Sequence, residues 1–191
     1  DFQTTISRLE TFVDQFPQDS KLMTAVHYLA WSYFSVAENA KSQEERKKLL
    51  LQASKQFDHL IIQQATKERL ADWIFQSAQA LNMAGEKTKA ITKYQQLLTR
   101  FPNHNLAETS AYVIPNLQYS TEQFEISLKN YQKFCSQFPK SEWFDEAFYS
   151  TATCYEKLGQ TEKAMKIYGQ TTRRFPYLMV AANAQVNIAH H

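Results

Sequence analysis

"YQKFCSQFPKSE", residues 131–142, keeps helical spacing until Phe138-Pro139. There proline has no N–H to donate and its ring collides with the preceding turn. "YQQLLTRFPNHN" (94–105) and "YGQTTRRFPYLM" (168–179) stop the same way, each with tyrosine seven residues before Phe-Pro. A recurring stop marks a repeated unit, and its period is 37 residues: Phe57, Tyr94, Tyr131 and Tyr168 are evenly spaced by that number. Four residues before each aromatic stands a small residue, Ala53, Ala90, Ser127 or Ala164, which lets two helices approach closely. Three and four residues after it come Leu60-Ile61, Leu97-Leu98, Phe134-Cys135 and Thr171-Thr172. In one copy Ala90, Ile91, Tyr94, Leu97, Leu98 and Phe101 form the apolar stripe of an amphipathic helix, closed by the phenylalanine before proline ends it.

Each such helix, B, follows another, A. Residues 71–84 and 145–158 read as A helices, and each precedes a glycine, Gly85 or Gly159, at the place where a left-handed residue ends a helix. Ser141 is the expected N-cap of the later A helix, with Glu142, Asp145 and Glu146 near the positive end of its dipole. The unit is therefore helix, tight turn, helix, stop. Only 3 glycines and 5 prolines, with 43% hydrophobic and 14% aromatic residues, agree with an all-α chain.

The order Ala152, Tyr155, Gly159, Ala164, Tyr168, Pro176, matched by Ala78, Gly85, Ala90, Tyr94, Pro102, resembles the tetratricopeptide repeat. This unit is somewhat longer than the family's usual ~34 residues. Its Phe-Pro stop resembles the repeats of bacterial envelope proteins, among them the lipoprotein of the β-barrel assembly machine and the Tol-Pal accessory protein. The resemblance implies a right-handed superhelix of antiparallel helix pairs, about 4.5 pairs, over residues 1–191 as a single repeat domain. It also implies a periplasmic or outer-membrane-associated setting.

The copies differ. "LETFVDQFPQDS" puts Leu9 in the aromatic position and Phe16-Pro17 at a stop, but the next unit arrives eleven residues late. The excess falls in "ENAKSQEERKK", which reads as a longer solvated turn or an extended B helix. The second copy has Gln64-Ala65 where Phe-Pro would stand. In the third, Pro115 takes the small-residue position of the A helix, where it should kink or break it, and Glu122 replaces the turn glycine. The chain begins with a lone B helix and ends with a lone A helix, "LMVAANAQVNIA", left apolar by Val180, Ala184, Val186 and Ile188. Either more chain follows or another subunit covers it, so pairing of the terminal helices between copies is one expected route to a homo-oligomer. Opening on Asp1 with no targeting segment, the chain reads as a processed or excised piece.

In tetratricopeptide arrays the A helices line a concave surface. Carried over position by position, the family's inward sites fall on His27, Trp31 and Phe34, then Phe75, Gln79 and Met83, then Tyr112, Asn116 and Tyr119, and finally Tyr149, Thr153 and Glu156. The resemblance implies that this aromatic, amide-rich set receives a protein or peptide segment. Packing between helices is the competing role for any one of these aromatics. The lysine, asparagine and arginine of a carboxylate clamp are missing, since His27, Trp31, Phe75 and Gln79 stand there.

No catalytic, cofactor or metal constellation emerges. Gly-rich phosphate loops, Gly-x-Ser-x-Gly and His-Glu-x-x-His are absent, and His59 and His104 have no metal-ligand spacing. Cys135 stands where other copies have Ile61 and Leu98, so it reads as a core residue; Cys154 lies in an A helix, and a bond between the two is conceivable. With 21 basic and 19 acidic residues and a net charge of +2, the chain has no field to attract nucleic acid or an anionic membrane. No apolar run approaches the ~20 residues of a membrane span. Lys163, Lys166, Arg173 and Arg174 read as solvated B-helix positions.

Overall fold

The computed structural model describes residues 2–63, 69–177 and 179–189. Among the described residues there are ten α-helices and no strands: α1 (Phe2–Gln15), α2 (Leu22–Glu38), α3 (Gln43–Gln63), α4 (Leu70–Met83), α5 (Lys87–Arg100), α6 (Asn105–Ser120), α7 (Phe124–Gln137), α8 (Phe144–Lys157), α9 (Thr161–Arg174) and α10 (Met179–Ala189). A and B alternate as expected, with α1 a lone B helix and α10 a lone A helix around four A–B pairs. The A helices expected at 71–84 and 145–158 begin one residue earlier. The chain divides into two compact units, Asp1–Ala107 and Glu108–His191.

In the first unit α1 packs on α2, α2 on α3, α3 on α4 and α4 on α5. In the second α7 packs on α8, α8 on α9, and α10 on α9 and α8. Ala53, Ala90, Ser127 and Ala164, the small residues of the B helices, have no exposed surface. The aromatics four residues on, Phe57, Tyr94, Tyr131 and Tyr168, are at most 2% exposed. On the A helices Ala78, Pro115 and Ala152 recur at the same period and are fully buried. Close approach at the small side chains is what lets the large rings fill the layer between helices.

One polar cluster lies among these contacts in the first unit. The Ser77 hydroxyl on α4 donates to Asp58 Oδ1 on α3 at 2.7 Å and lies 3.0 Å from the Ser54 hydroxyl. Lys93 on α5 reaches the same Asp58 oxygen at 2.7 Å. Four side chains thereby tie three consecutive helices in one register.

Three of the four A-to-B reversals, those after α4, α6 and α8, use a left-handed residue, whereas α2 ends on Asn39 with φ −107°. Gly85 has φ 83°, Glu122 φ 61° and Gly159 φ 70°, all one period apart. Around each, two backbone bonds close the helix: Glu86 N–H to Leu81 O and Gly85 N–H to Asn82 O, Gln123 to Gln118 and Glu122 to Tyr119, Gln160 to Tyr155 and Gly159 to Glu156, at 2.9–3.0 Å. Glu122 thus adopts the glycine conformation despite its side chain, a strained choice.

Four expectations change. The Phe-Pro phenylalanines stand just beyond the helix rather than within it, as C-caps, Phe101 with φ −138° and Phe138 with φ −124°, and from there the Phe138 ring closes the stripe on Phe134 at 5.2 Å. Phe101, Phe138 and Phe175 are half-buried, and Phe16 is exposed. Three of the Phe-Pro pairs open a β-turn: Phe16 O accepts from Asp19 N–H, Phe101 O from His104 and Phe138 O from Ser141, all at 3.1 Å. Proline then fixes φ at the second turn position. Second, Pro115 does not break its helix. Its fully buried ring fills the small-residue slot, and its carbonyl accepts the Ser127 hydroxyl at 2.8 Å.

Third, Ser141 is not the N-cap of α8, which starts at Phe144 after Trp143. The Ser141 hydroxyl instead accepts the Trp143 N–H at 3.1 Å within the preceding turn. Fourth, of the two readings of the charged insertion, the extended B helix is the observed one. α3 has 21 residues against 14 in α5, α7 and α9. Ser42 caps it by accepting the Glu45 N–H at 3.1 Å, while Glu45 takes the Lys41 N–H at 2.9 Å. Lys47 on the added turns pairs with Glu86 at 3.1 Å. Gln64-Ala65, where a stop is missing, lies outside the described residues.

Glu122→Gly should stabilise the protein by about 1 kcal/mol, raising the thermal midpoint by about 2–4 °C, because the left-handed backbone costs a non-glycine residue roughly that much. Gly85→Ala, at the equivalent cap, should lower it; calorimetry measures both. Asp58→Ala should cost about 1–2 kcal/mol in urea unfolding, since Ser77 loses its acceptor while the half-exposed Lys93 is partly recovered by water.

Candidate functional site: the A-helix aromatic face

In the first unit, Trp31 on α2 is 38% exposed and its ring meets Phe57 edge-on at 5.8 Å and Phe34 at 5.8 Å. Phe34 and Phe75 are buried, and Phe75 packs on Tyr94 at 5.6 Å, so both mainly serve the core. Gln79 and Met83 are half-buried on α4.

In the second unit the expected residues are engaged internally. Tyr112 stacks on Trp143 at 5.4 Å with planes 9° apart and meets Phe134 at 5.5 Å. Asn116 donates to the Tyr112 carbonyl at 3.0 Å and accepts the Tyr131 hydroxyl. Tyr119 packs on Phe124 at 5.2 Å. Tyr149 meets Tyr168 at 5.5 Å and accepts from Asn187 at 3.0 Å. Thr153 donates to Ser150 O at 2.9 Å, and Glu156 accepts the Tyr168 hydroxyl at 2.6 Å. Burial raises the pKa of Tyr112, Tyr119, Tyr149 and Tyr168, keeping all four phenols neutral. This half of the set is held rigid by its own contacts, its side chains being half-buried.

An opening lies at the N-terminal halves of α2 and α4. An open pocket of about 800 Å³ is lined by Ser20, Met23, Thr24, His27, Tyr28, Arg69 and Trp73. His27 accepts the Trp73 indole N–H at Nδ1, 3.3 Å away, and Tyr28 is 59% exposed beside it. Burial, and secondarily the nearby Arg69 charge, hold the His27 pKa below its ordinary value, which suits a neutral ring that accepts at Nδ1. Met23, Tyr28 and Trp73 give an apolar wall; Ser20, Thr24 and Arg69 add donors at the rim.

Of this pocket the inward-position list had found only His27. Trp73 did carry a signal. One period on stand Ser110, Ala147 and Ala184, all small and with no exposed surface. A tryptophan at a slot elsewhere kept for small residues cannot fit between helices in the same way.

Neither cysteine is reactive in character. Both are free thiols. Burial pushes the Cys135 thiol up to about 11 and raises that of Cys154, whose sulfur lies 3.6 Å from the Ser127 hydroxyl. Among the described residues no group of three or more His, Cys, Asp and Glu is placed to hold a metal, and no helix is long and apolar enough to cross a membrane.

The tetratricopeptide repeat family model matches residues 74–104 and 146–176, which are α4–α5 and α8–α9 with their Phe-Pro turns. Those two helix pairs match the tetratricopeptide repeat. Solved structures of low identity share this repeat fold. A crystal structure of MamA is 17% identical with a TM-score of 0.61, over 100% of this chain and 92% of that one. The TPR-like repeats of a putative kinesin light chain from Podosopora anserina are 15% identical with a TM-score of 0.59, covering 96% and 88%. BtubC from P. vanneervenii is 12% identical with a TM-score of 0.57, covering 93% and 72%. Comparison with curated protein sequences finds no match.

His27 makes the fold weaker in acid. With its folded pKa lowered, the unfolded chain binds the extra proton first as pH falls through about 6.5, so this contribution is present above that pH and lost below it. The urea midpoint of the wild type should therefore fall more between pH 7.5 and 5.5 than that of His27→Gln.

Proposed function

We propose that this protein is a non-catalytic scaffold that holds a protein or peptide segment on its A-helix face. The observation that carries the reading is the pairing of exposed Tyr28 and Trp31 with the adjoining open pocket in the first unit. Rigid aromatics of this kind supply contact area at small entropic cost and are typical hot spots, while His27, Thr24 and Arg69 offer polar anchoring. Within the second unit, the internally braced aromatics of α6 and α8 offer a preorganised rather than an adaptable surface of their own. The repeat fold is commonly a non-catalytic interaction module, and no nucleophile stands with its base among the residues described above.

The reading extends to the bacterial envelope, in outer-membrane assembly or cell-wall coordination. What supports that setting is the Phe-Pro stop that follows α1, α5, α7 and α9.

The test is a pull-down from the source cell comparing wild type with Tyr28→Ala/Trp31→Ala, both verified as folded by circular dichroism. Specific partners should be depleted at least about tenfold in the double variant, in keeping with loss of two aromatic anchors. An unchanged partner set would remove the A-helix face as the binding surface.

A further inference from the structure

A second surface stands apart from the inward A-helix face, at the edge where α9 ends and α8 begins. Phe144 and Phe148, one turn apart on α8, have parallel rings with centroids 6.1 Å apart. Phe175, the C-cap of α9, meets them at 6.2 and 6.3 Å. Over these three rings lies the Arg174 guanidinium, 4.5 Å from the Phe144 centroid, 5.4 Å from Phe175 and 5.8 Å from Phe148. Arg173 stands beside it, its Nε–H donated to the Gly169 carbonyl at 2.9 Å. Phe148, Gln170, Arg173 and Arg174 line an open hollow of about 460 Å³.

Two features separate this patch from ordinary solvated charge. Among the described residues neither arginine has an ion-pair partner; the ion pairs there, Lys47 and Lys89 with Glu86 and Lys93 with Asp58, involve lysines. The repeat also departs here from its own pattern. Two periods earlier the places of Phe144 and Phe148 are held by Leu70 and Ile74, and one period earlier that of Phe144 by Ala107, all buried. The last copy instead leaves two phenylalanines half-buried and roofs them with a cation. Arg174 is exposed, as its B-helix position predicts, and its guanidinium also lies over the rings. Its ring contacts hold the guanidinium at this edge, where its N–H groups can reach an acceptor.

We infer that this edge is a docking site for an acidic segment of a partner protein, in which an aspartate or glutamate carboxylate pairs with Arg173 and Arg174 and a neighbouring apolar side chain lies on the phenylalanines. Charge complementarity selects a carboxylate, and the planar guanidinium suits its two oxygens. The apolar floor and the small net charge of +2 favour a peptide over a nucleic acid, whose phosphates call for a broad basic field. Phe148 precedes Tyr149 by one residue, about 100° around the helix, so this face of α8 is separate from the one carrying Tyr149, Thr153 and Glu156.

The test uses the full chain and fluorescence anisotropy with a short labelled peptide in which aspartates alternate with leucines. The peptide should bind, weaken with added salt, and lose at least about tenfold in affinity to Arg173→Gln/Arg174→Gln, the loss of charge-assisted bonds. Its asparagine counterpart should not bind. Tyr28→Ala/Trp31→Ala should leave the affinity unchanged, which keeps this surface distinct from the A-helix face. Should the double arginine variant lose its helical signal, Arg173→Gln alone, which leaves Arg174 on its rings, should still weaken binding. The proposal is overturned if the aspartate peptide does not bind, if folded arginine variants bind it as well as wild type, if the asparagine peptide binds equally, or if a single-stranded oligonucleotide binds more tightly.

Discussion

Everything in this chain rests on one contact made once per period, a small residue on a B helix that brings the helices close enough for an aromatic one turn later to be sealed between them. Ala53 with Phe57, Ala90 with Tyr94, Ser127 with Tyr131 and Ala164 with Tyr168 are each at most 2% exposed. The contact is steric before it is hydrophobic, because a larger side chain at the first site would hold the helices apart and leave the ring unsupported. It explains how sequences as different as α5 and α9 occupy equivalent places. Where the pattern has a serine, as at Ser127, the hydroxyl has a specific acceptor in the Pro115 carbonyl, so the close approach survives.

The period makes the architecture legible from sequence, since position 94 predicts positions 57, 131 and 168 without any knowledge of the partner helices. What it does not reveal is how each boundary is made. Phe-Pro looks like the end of a helical stripe because phenylalanine is apolar. The turn bonds to Asp19, His104 and Ser141 that make it a C-cap are backbone events without a hydrophobic signature. Pro115 was expected to disrupt because proline lacks a donor, yet a buried slot that needs a compact side chain outweighs that penalty locally. The start of α3 was readable in Ser42-Gln43-Glu44-Glu45, a capping sequence masked by the charged composition around it.

The A-helix face was legible in outline and blurred in detail for a related reason. Positions carried over from a family identify which side of a helix is turned inward, but not how deep a given side chain sinks. Phe75 and Tyr112 occupy equivalent sites, yet Phe75 is buried on Tyr94 while Tyr112 stacks on Trp143. The pocket around His27 depends on Trp73 at a slot elsewhere reserved for small residues, which shows only when the repeats are compared with one another. The roof of Arg174 over Phe144, Phe148 and Phe175 escapes notice for the same cause: its meaning lies in departure from the period.

The left-handed caps at residues 85, 122 and 159 fasten the last three A helices to their B helices through backbone bonds. The bend at these three reversals is consequently indifferent to which side chains the A helix displays. Mutational drift can then rewrite the exposed positions of one repeat without resetting the angle at which that repeat presents them. Hinge geometry and recognition chemistry are inherited separately, so a duplicated unit of this chain could acquire a new ligand while remaining mechanically the same part.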